Sequence, residues 1–213
     1  MKYCFELCSR PRKNQSIEDK HAHLVEGIKQ SAPPWAWIDS PPPPPHPGGG
    51  LVAHANLGKH LGKGIRGQAY YQFRRDFRGE ASEDDFIELN FDAAKVNYKQ
   101  LLHDVFPRYV VAFEAYVGQI QPDDLINRDL DALRQLRFDR RRMIHRIYPA
   151  LFLDGELCRD ALRIPQTEIV TRLEGHVERV QTFHNGVLII ASSEVLPLER
   201  IEGLTRELRN LLV

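Results

Sequence analysis

Alternating apolar and polar positions open the chain and predict a β-strand over residues 2–9. One side of this segment carries Tyr3, Phe5 and Leu7, and the other carries Cys4, Glu6 and Cys8. Ser16 and Asp19 then resemble a helix capping box. The apolar positions after them follow helical spacing: Ile17, His21, Leu24, Val25 and Ile28. We therefore expect a strand and then an amphipathic helix in this part of the chain.

A proline- and glycine-rich loop is predicted over residues 39–64. It contains Pro41 to Pro45 in a row, followed by Gly48 to Gly50. Consecutive prolines favour an extended polyproline II rod, and consecutive glycines favour a flexible joint. The segment 35–38, which contains Trp35 and Trp37, could form a short strand leading into the loop. A loop of this length is either functional or a linker.

The middle of the chain mixes strand and helix patterns. Residues 69–77 and 85–91 predict two strands of a hairpin, joined by a polar turn. Asp92 is a suitable N-cap for a helix carrying Val96, Leu101, Leu102, Val105 and Phe106. Pro107 suits the first turn of a further helix with Val110, Phe113 and Val117 on one side, although this stretch could instead be a strand. Residues 129–142 predict a charged helix with Leu130, Leu133 and Leu136 toward the core.

The C-terminal part of the chain has the clearest pattern. Residues 147–153 form an apolar, strand-like run broken by Pro149, and residues 165–174 predict a short helix closed by Gly175. Two strand segments, 177–183 and 186–192, meet at Asn185-Gly186, a strong hairpin signal. Pro197 opens a final helix with one apolar stripe: Leu198, Ile201, Leu204, Leu208 and Leu211.

These elements predict an α+β fold in which helices pack against a mostly antiparallel β-sheet. Strands and helices are mixed along the chain, and neighbouring strands are joined as hairpins. A chain of 213 residues can bury a sizeable core without disulfides or metals. We expect a single domain over residues 1–213.

Charge is balanced in total but segregated along the chain. The 29 basic and 29 acidic side chains give a net charge of zero, which argues against a dedicated nucleic-acid-binding protein. Residues 1–78 carry a net charge of +6, residues 79–131 carry −8, residues 132–163 carry +4, and the remainder carries −2. The acidic middle segment is suited to a basic protein partner, although it could equally be a solvated face neutralised by nearby arginines.

Cysteine and histidine usage predicts no disulfide, metal or cofactor. Three cysteines are an odd number, and Cys4 and Cys8 would lie roughly 13 Å apart in a strand, too far to bridge. The nine histidines form no metal-binding motif. No apolar run approaches the length of a membrane helix, and no signal-peptide pattern opens the sequence. These observations predict a cytoplasmic protein with reduced thiols and no membrane partner.

Two alternative functions rest on individual motifs. Cys158 could be the nucleophile of a thiol hydrolase, with His176 or His184 as its base. A nucleic-acid-binding strand could use aromatic residues interleaved with arginines: Tyr71, Phe73, Arg74 and Arg75.

The C-terminal segments resemble a known bacterial family. An apolar strand leads to Leu157-Cys158-Arg159 and the helix beginning Ile164-Pro165-Gln166, and a hairpin then ends in residues 184–193 before a leucine-rich helix. With the N-terminal strand and Tyr70-Tyr71-Gln72-Phe73, this arrangement is similar to the immunity protein 52 family of polymorphic-toxin systems. The resemblance is strongest over residues 147–213. It implies an α+β cytoplasmic protein that binds and neutralises a cognate toxin, usually a restriction-endonuclease-like nuclease delivered by type VI secretion.

The resemblance and the charge pattern together suggest a non-enzymatic inhibitor that occludes a toxin. We expect the acidic hairpin region to form the toxin-binding surface, through Glu83, Asp84, Asp85 and Glu88. Trp35 and Trp37, beside the proline segment, are the expected aromatic anchors. The sequence leaves the oligomeric state open.

Overall fold

The computed structural model describes residues 1–12, 14–46, 52–72 and 81–212, which form an eight-stranded β-sheet flanked by helices. The strands are β1 Lys2–Ser9, β2 Val52–Ala55, β3 Arg66–Gln72, β4 Asp85–Asp92, β5 Val117–Pro122, β6 Ala150–Asp154, β7 Arg179–Phe183 and β8 Gly186–Ile190. Their order in the sheet is β2-β3-β4-β1-β5-β6-β8-β7, and each neighbouring pair is antiparallel. The predicted α+β class is confirmed.

The helical segments lie mainly between these strands. They are α1 Ile17–Ile28, α2 Tyr98–Gln100, α3 Phe106–Ala112, α4 Asp123–Gln135, α5 Gly155–Leu157, α6 Gln166–Leu173 and α7 Leu198–Leu212. Short 3-10 turns span Ala81–Glu83 and Ala93–Lys95, and π-helical turns span Leu101–Val105 and Cys158–Leu162.

The two sides of β1 face two different hydrophobic clusters. Tyr3, Phe5 and Leu7 belong to the larger cluster, which also contains buried residues of α1 and α3. Cys8 belongs to the second cluster, which contains buried residues of α6 and α7. A strand buried on both sides lies naturally at the centre of a sheet, and β1 pairs with β4 and β5. The alternation predicted for residues 2–9 is confirmed.

Local capping signals are also confirmed at two helices. Ser16 caps α1 by accepting a hydrogen bond from the Asp19 amide at 2.9 Å. Gly175 follows α6 with a φ of 81°, the left-handed conformation that ends many helices. The hairpin between β7 and β8 forms as expected, but its two connecting residues are His184 and Asn185, because Phe183 pairs with Gly186.

The helix around Pro107 differs from the prediction. Asp92 caps only the 3-10 turn, and the helical segment begins after Asn97, whose side chain accepts from the Gln100 amide. The π turn lies immediately before α3, and the Phe106 amide bonds to the Leu101 carbonyl. Proline lacks an amide hydrogen and crowds the carbonyl four residues earlier, so the wider turn accommodates Pro107.

Three further expectations about secondary structure are wrong. Val117 lies in β5 rather than on a helix, because the chain reverses at Glu114, which has a φ of 51°. Leu130 and Leu136 are exposed, because α4 buries Leu125 and Asp129 instead. The segment 35–38 forms no strand, whereas β2 lies within the loop predicted over residues 39–64.

The proline segment is packed against the protein in its described part, residues 41–46. Pro42 and Pro45 are buried, while the intervening Pro43 and Pro44 are exposed. This three-residue spacing matches the period of a polyproline II helix with one buried side. His21 on α1 contacts the segment through Nε2, which lies 2.9 Å from the Pro42 carbonyl oxygen.

Candidate functional site

Asp85, one of the four acidic residues expected at the binding surface, is fully buried. Its carboxylate lies 3.5 Å from the Lys20 ammonium group and accepts a hydrogen bond from the Gln72 amide at 2.8 Å. Lys20 also donates to the Ser9 hydroxyl and lies over the Phe113 ring. The expected exposure of Asp85 is therefore wrong, because α1 supplies a buried cation that pairs with it.

Asp84 is buried as well, with 4% of its surface exposed. One carboxylate oxygen accepts from Arg141 at 2.5 and 2.9 Å, and the other accepts from the Tyr116 hydroxyl at 2.6 Å. Burial raises the pKa of Asp84 against the lowering effect of these two partners. Asp84 thus fixes the 139–142 turn against the sheet, and its predicted place on an exposed surface is wrong.

The two tryptophans also hold the structure together. Trp35 is 1% exposed, and its ring packs against Phe5 and Phe91 with centroids 6.0 and 5.2 Å away. Trp37 is half-buried and donates its indole N–H to the Val25 carbonyl at 2.9 Å. The expected exposure of Trp35 is wrong, and both side chains attach the start of the proline segment to the core.

Glu88 remains on an accessible part of the sheet. The side of β3 and β4 that faces away from the larger cluster carries half-buried side chains, and we call Gln68, Tyr70, Phe86 and Glu88 the open sheet patch. Tyr70 stacks on Phe86, with ring centroids 4.1 Å apart and planes 18° apart. Glu83 is also half-buried, but it lies in the 3-10 turn before β4.

The electrostatics of the open sheet patch are unusual, because Glu88 lies directly opposite Glu6 in the register of β4 and β1. Like charges opposite each other on one face destabilise a sheet. Glu6 is compensated by Arg140 at 2.5 Å and by Gln119 at 2.8 Å. Glu88 accepts a hydrogen bond from the Asn90 side-chain amide at 3.0 Å. A carboxylate beside stacked aromatic rings is suited to a guanidinium or ammonium group of a partner.

The proposed cysteine nucleophile is inaccessible. Cys158 is completely buried in the second hydrophobic cluster, and its sulfur lies 3.8 Å from the Leu153 carbonyl oxygen. Burial raises the pKa of its thiol to about 12. His176 and His184, its candidate bases, are both exposed. This arrangement disfavours a reactive thiolate.

The nucleic-acid motif is described only in part. Tyr71 is fully buried, and its hydroxyl lies 2.9 Å from Nδ1 of His21. Phe73, Arg74 and Arg75 lie outside the described residues. Tyr71 therefore packs in the core and is unavailable for stacking on a base.

A polar cluster that the sequence did not reveal joins the π turn after α2 to the start of β7 and the end of β8. His103 Nε2 lies 2.8 Å from the Ser193 hydroxyl and 3.0 Å from Glu178, and Ser193 donates to Glu178 at 2.6 Å. The hydrogen bond from Ser193 lowers the pKa of Glu178, with a further contribution from His103. The residues are far apart in sequence, and no local motif marks them.

This Ser–His–Glu cluster does not have the geometry of a hydrolase triad. In a triad the carboxylate orients the imidazole through one ring nitrogen while the other activates the serine. Here Ser193 and Glu178 both contact the same nitrogen of His103. These three side chains therefore link the π turn at His103 to the two ends of the β7–β8 hairpin.

Comparisons with known proteins identify a structural neighbour but no family. No protein-family model matches the chain, and no curated protein matches it. A solved structure, the Pseudomonas aeruginosa T6SS protein PA0821, is similar with a TM-score of 0.55 and 11% sequence identity. The alignment covers 99% of this chain and 72% of that one. The two chains share a fold.

Two other features are absent from the described ranges. These residues contain no group of three or more histidine, cysteine or acidic side chains that could hold a metal ion. No helix in the same ranges is long and apolar enough to span a membrane. The open sheet patch, in which two stacked aromatic rings lie beside the half-buried Glu88, is our candidate site for a macromolecular partner.

Proposed function

We propose that the protein is an immunity protein that binds and neutralises a cognate toxin of a type VI secretion system in the cytoplasm of the producing cell. The observation that carries this proposal is the likeness in fold to a type VI secretion protein, which extends over 99% of the chain. The finer assignment as an immunity protein rests on the resemblance of residues 147–213 to the immunity protein 52 family.

The proposed mechanism is occlusion by a preformed surface. A hydrophobic cluster packs against each side of β1, and the open sheet patch presents two aromatic rings beside Glu88. A nuclease binds a polyanion and carries a basic active-site cleft, so a carboxylate beside aromatic rings would complement it. A stable complex of this kind buries roughly 800 Å² on each partner, and the patch would be its centre.

Co-production with the product of the adjacent gene tests this function. We expect the two proteins to co-elute as one complex in size-exclusion chromatography, and the toxin to become harmless to the host cell. A non-cognate protein of similar size serves as the control for non-specific rescue. Plasmid degradation by the isolated toxin, abolished on adding this protein, would identify a nuclease partner. Toxicity that persists with no complex detected would refute the proposed function.

A further inference from the structure

An apolar cleft with a volume of about 450 Å³ lies on the side of the sheet that carries α6 and α7. Its floor is formed by side chains of β6 and β8, including Leu151, Leu153 and Ile189. Leu162, Ile164 and Leu212 line its walls. Sites for small organic ligands typically measure roughly 300 to 1,000 Å³ and are lined mainly by apolar side chains. The cleft has the volume of such a site, and its accessible apolar surface includes Leu162 and Ile164 at its mouth.

Three arginines are the charged residues that line this cleft, and its lining contains no acidic residue among those the structure describes. Arg163 is exposed and has no ion pair with any described residue. Arg172 contacts Glu168 at 2.5 Å and the Leu211 carbonyl at 3.2 Å. Arg209 donates to the His145 carbonyl at 3.1 Å.

These contacts leave donors available. Each guanidinium carries five N–H donors in a planar fork that fits a carboxylate or a phosphate in a bidentate manner. The described partners of Arg172 and Arg209 use only a part of them. An anionic headgroup at the mouth would therefore meet positive charge from Arg163 after the π turn and from Arg209 on α7, while the charge of Arg172 is already paired with Glu168.

We propose that this cleft binds an anionic amphiphile, a carboxylate with a linear apolar chain. The headgroup pairs with Arg163 and Arg209, and the chain lies against Leu162 and Ile164. Leu151 and Ile189 on the floor are at most 1% exposed. The apolar chain of the ligand therefore lies along the mouth of the cleft rather than against the floor. Each methylene buried there should tighten binding roughly fourfold. This site is separate from the open sheet patch and does not depend on the proposed function.

Fluorescence titration of the intact protein with 11-(dansylamino)undecanoic acid, below its critical micelle concentration, tests the site. We expect enhanced, blue-shifted emission that laurate displaces at a concentration at least about tenfold lower than dodecanol, which has the same chain without the charge. The absence of enhancement, or equal displacement by laurate and dodecanol, would overturn the proposal.

Three variants locate the binding site. Arg163→Gln and Arg209→Gln should each weaken probe binding by about tenfold, because one bidentate partner is lost. Leu162→Trp should reduce binding by filling the mouth. Arg206→Gln, an exposed residue of α7 that does not line the cleft, is the matched control and should bind normally. Circular dichroism verifies that each variant is folded, and unchanged binding in both glutamine variants would contradict the site.

Discussion

The Lys20 ammonium group lies 3.5 Å from the Asp85 carboxylate, and the two side chains are 1% and 0% exposed. This ion pair joins α1 to the first residue of β4, across the edge of the larger hydrophobic cluster. Removing two charges from water costs free energy, and the attraction between the two charges offsets this cost only while both are present. Asp85 therefore helps to hold β4 against α1, and β4 carries Phe86 and Glu88 of the open sheet patch.

We expect Asp85→Asn to destabilise the protein by about 3–5 kcal/mol, because it removes the charged carboxylate from a buried ion pair. Lys20→Met should also be destabilising, and the double variant should lose less than the sum of the two single losses. Urea denaturation of the four proteins measures the coupling. Strict additivity would show that the two charges do not act as a pair.

Acid should destabilise the fold through His21, a buried side chain of α1 beside the proline segment. Burial lowers the pKa of His21, although the Pro42 carbonyl acts in the opposite direction. In the unfolded chain a histidine has a pKa of about 6.5. Between the folded pKa and about pH 6.5, the unfolded state therefore binds more protons than the folded state. The stability that neutral His21 contributes is complete above about pH 6.5 and is lost as the pH falls toward the lowered pKa of the folded state.

The wild-type protein should accordingly lose more stability than His21→Asn when the pH is lowered from about 7.5 to about 5.5. Urea midpoints at the two pH values provide the comparison. His184→Asn is the control, since His184 is exposed and asparagine tolerates its φ of 53°. An equal pH dependence in wild type and His21→Asn would exclude His21 as the group responsible.

Charge reversal distinguishes the open sheet patch from the buried acids beside it. Glu88→Lys should weaken toxin binding by about tenfold or more but leave the protein stable, because a lysine opposite Glu6 replaces repulsion with attraction. Asp84→Lys should instead lower the melting temperature, because Arg141 and Tyr116 lose their acceptor.

Calorimetric titration of the toxin and thermal unfolding measure these two effects separately. Glu26→Lys provides a matched surface control, since Glu26 is an exposed residue of α1. If Glu88→Lys binds the toxin as tightly as Glu26→Lys does, the interface lies elsewhere, while the proposed immunity function stands as long as the wild-type complex forms.

Two glycines should respond in opposite directions to alanine. Gly203 lies within α7, and an added methyl group would meet no atom within 4 Å. Gly203→Ala should therefore stabilise the protein by about 0.5–1 kcal/mol. Gly67 has a φ of 143°, and an added methyl group would collide with the Glu88 carbonyl oxygen of the neighbouring strand.

Gly67→Ala should consequently cost at least about 1–3 kcal/mol and disturb the β3–β4 pairing. Thermal unfolding of both variants beside the wild type measures the two shifts. A Gly67→Ala protein as stable as the wild type would mean that the backbone at Gly67 does not lie directly against the Glu88 carbonyl oxygen.

The sequence predicted those features that depend on near neighbours in the chain. The alternation of residues 2–9, the cap at Ser16, the hairpin after Phe183 and the apolar stripe of the last helix each involve residues within a few positions of one another. Together they were sufficient for the α+β class. The extent of the helix around Pro107 was missed, because a π turn leaves no distinct pattern of apolar residues.

The binding surface was decided by the tertiary structure. The acidic run before β4 suggested a solvated patch, yet Asp85 meets Lys20 and Asp84 meets Arg141, partners 65 and 57 positions away that no local pattern connects. Trp35 is buried against Phe91 for the same reason. A sequence shows which side chains carry charge or apolar surface. Only the packing of distant segments determines which of them are neutralised, buried or left, like Glu88, at an accessible face of the sheet.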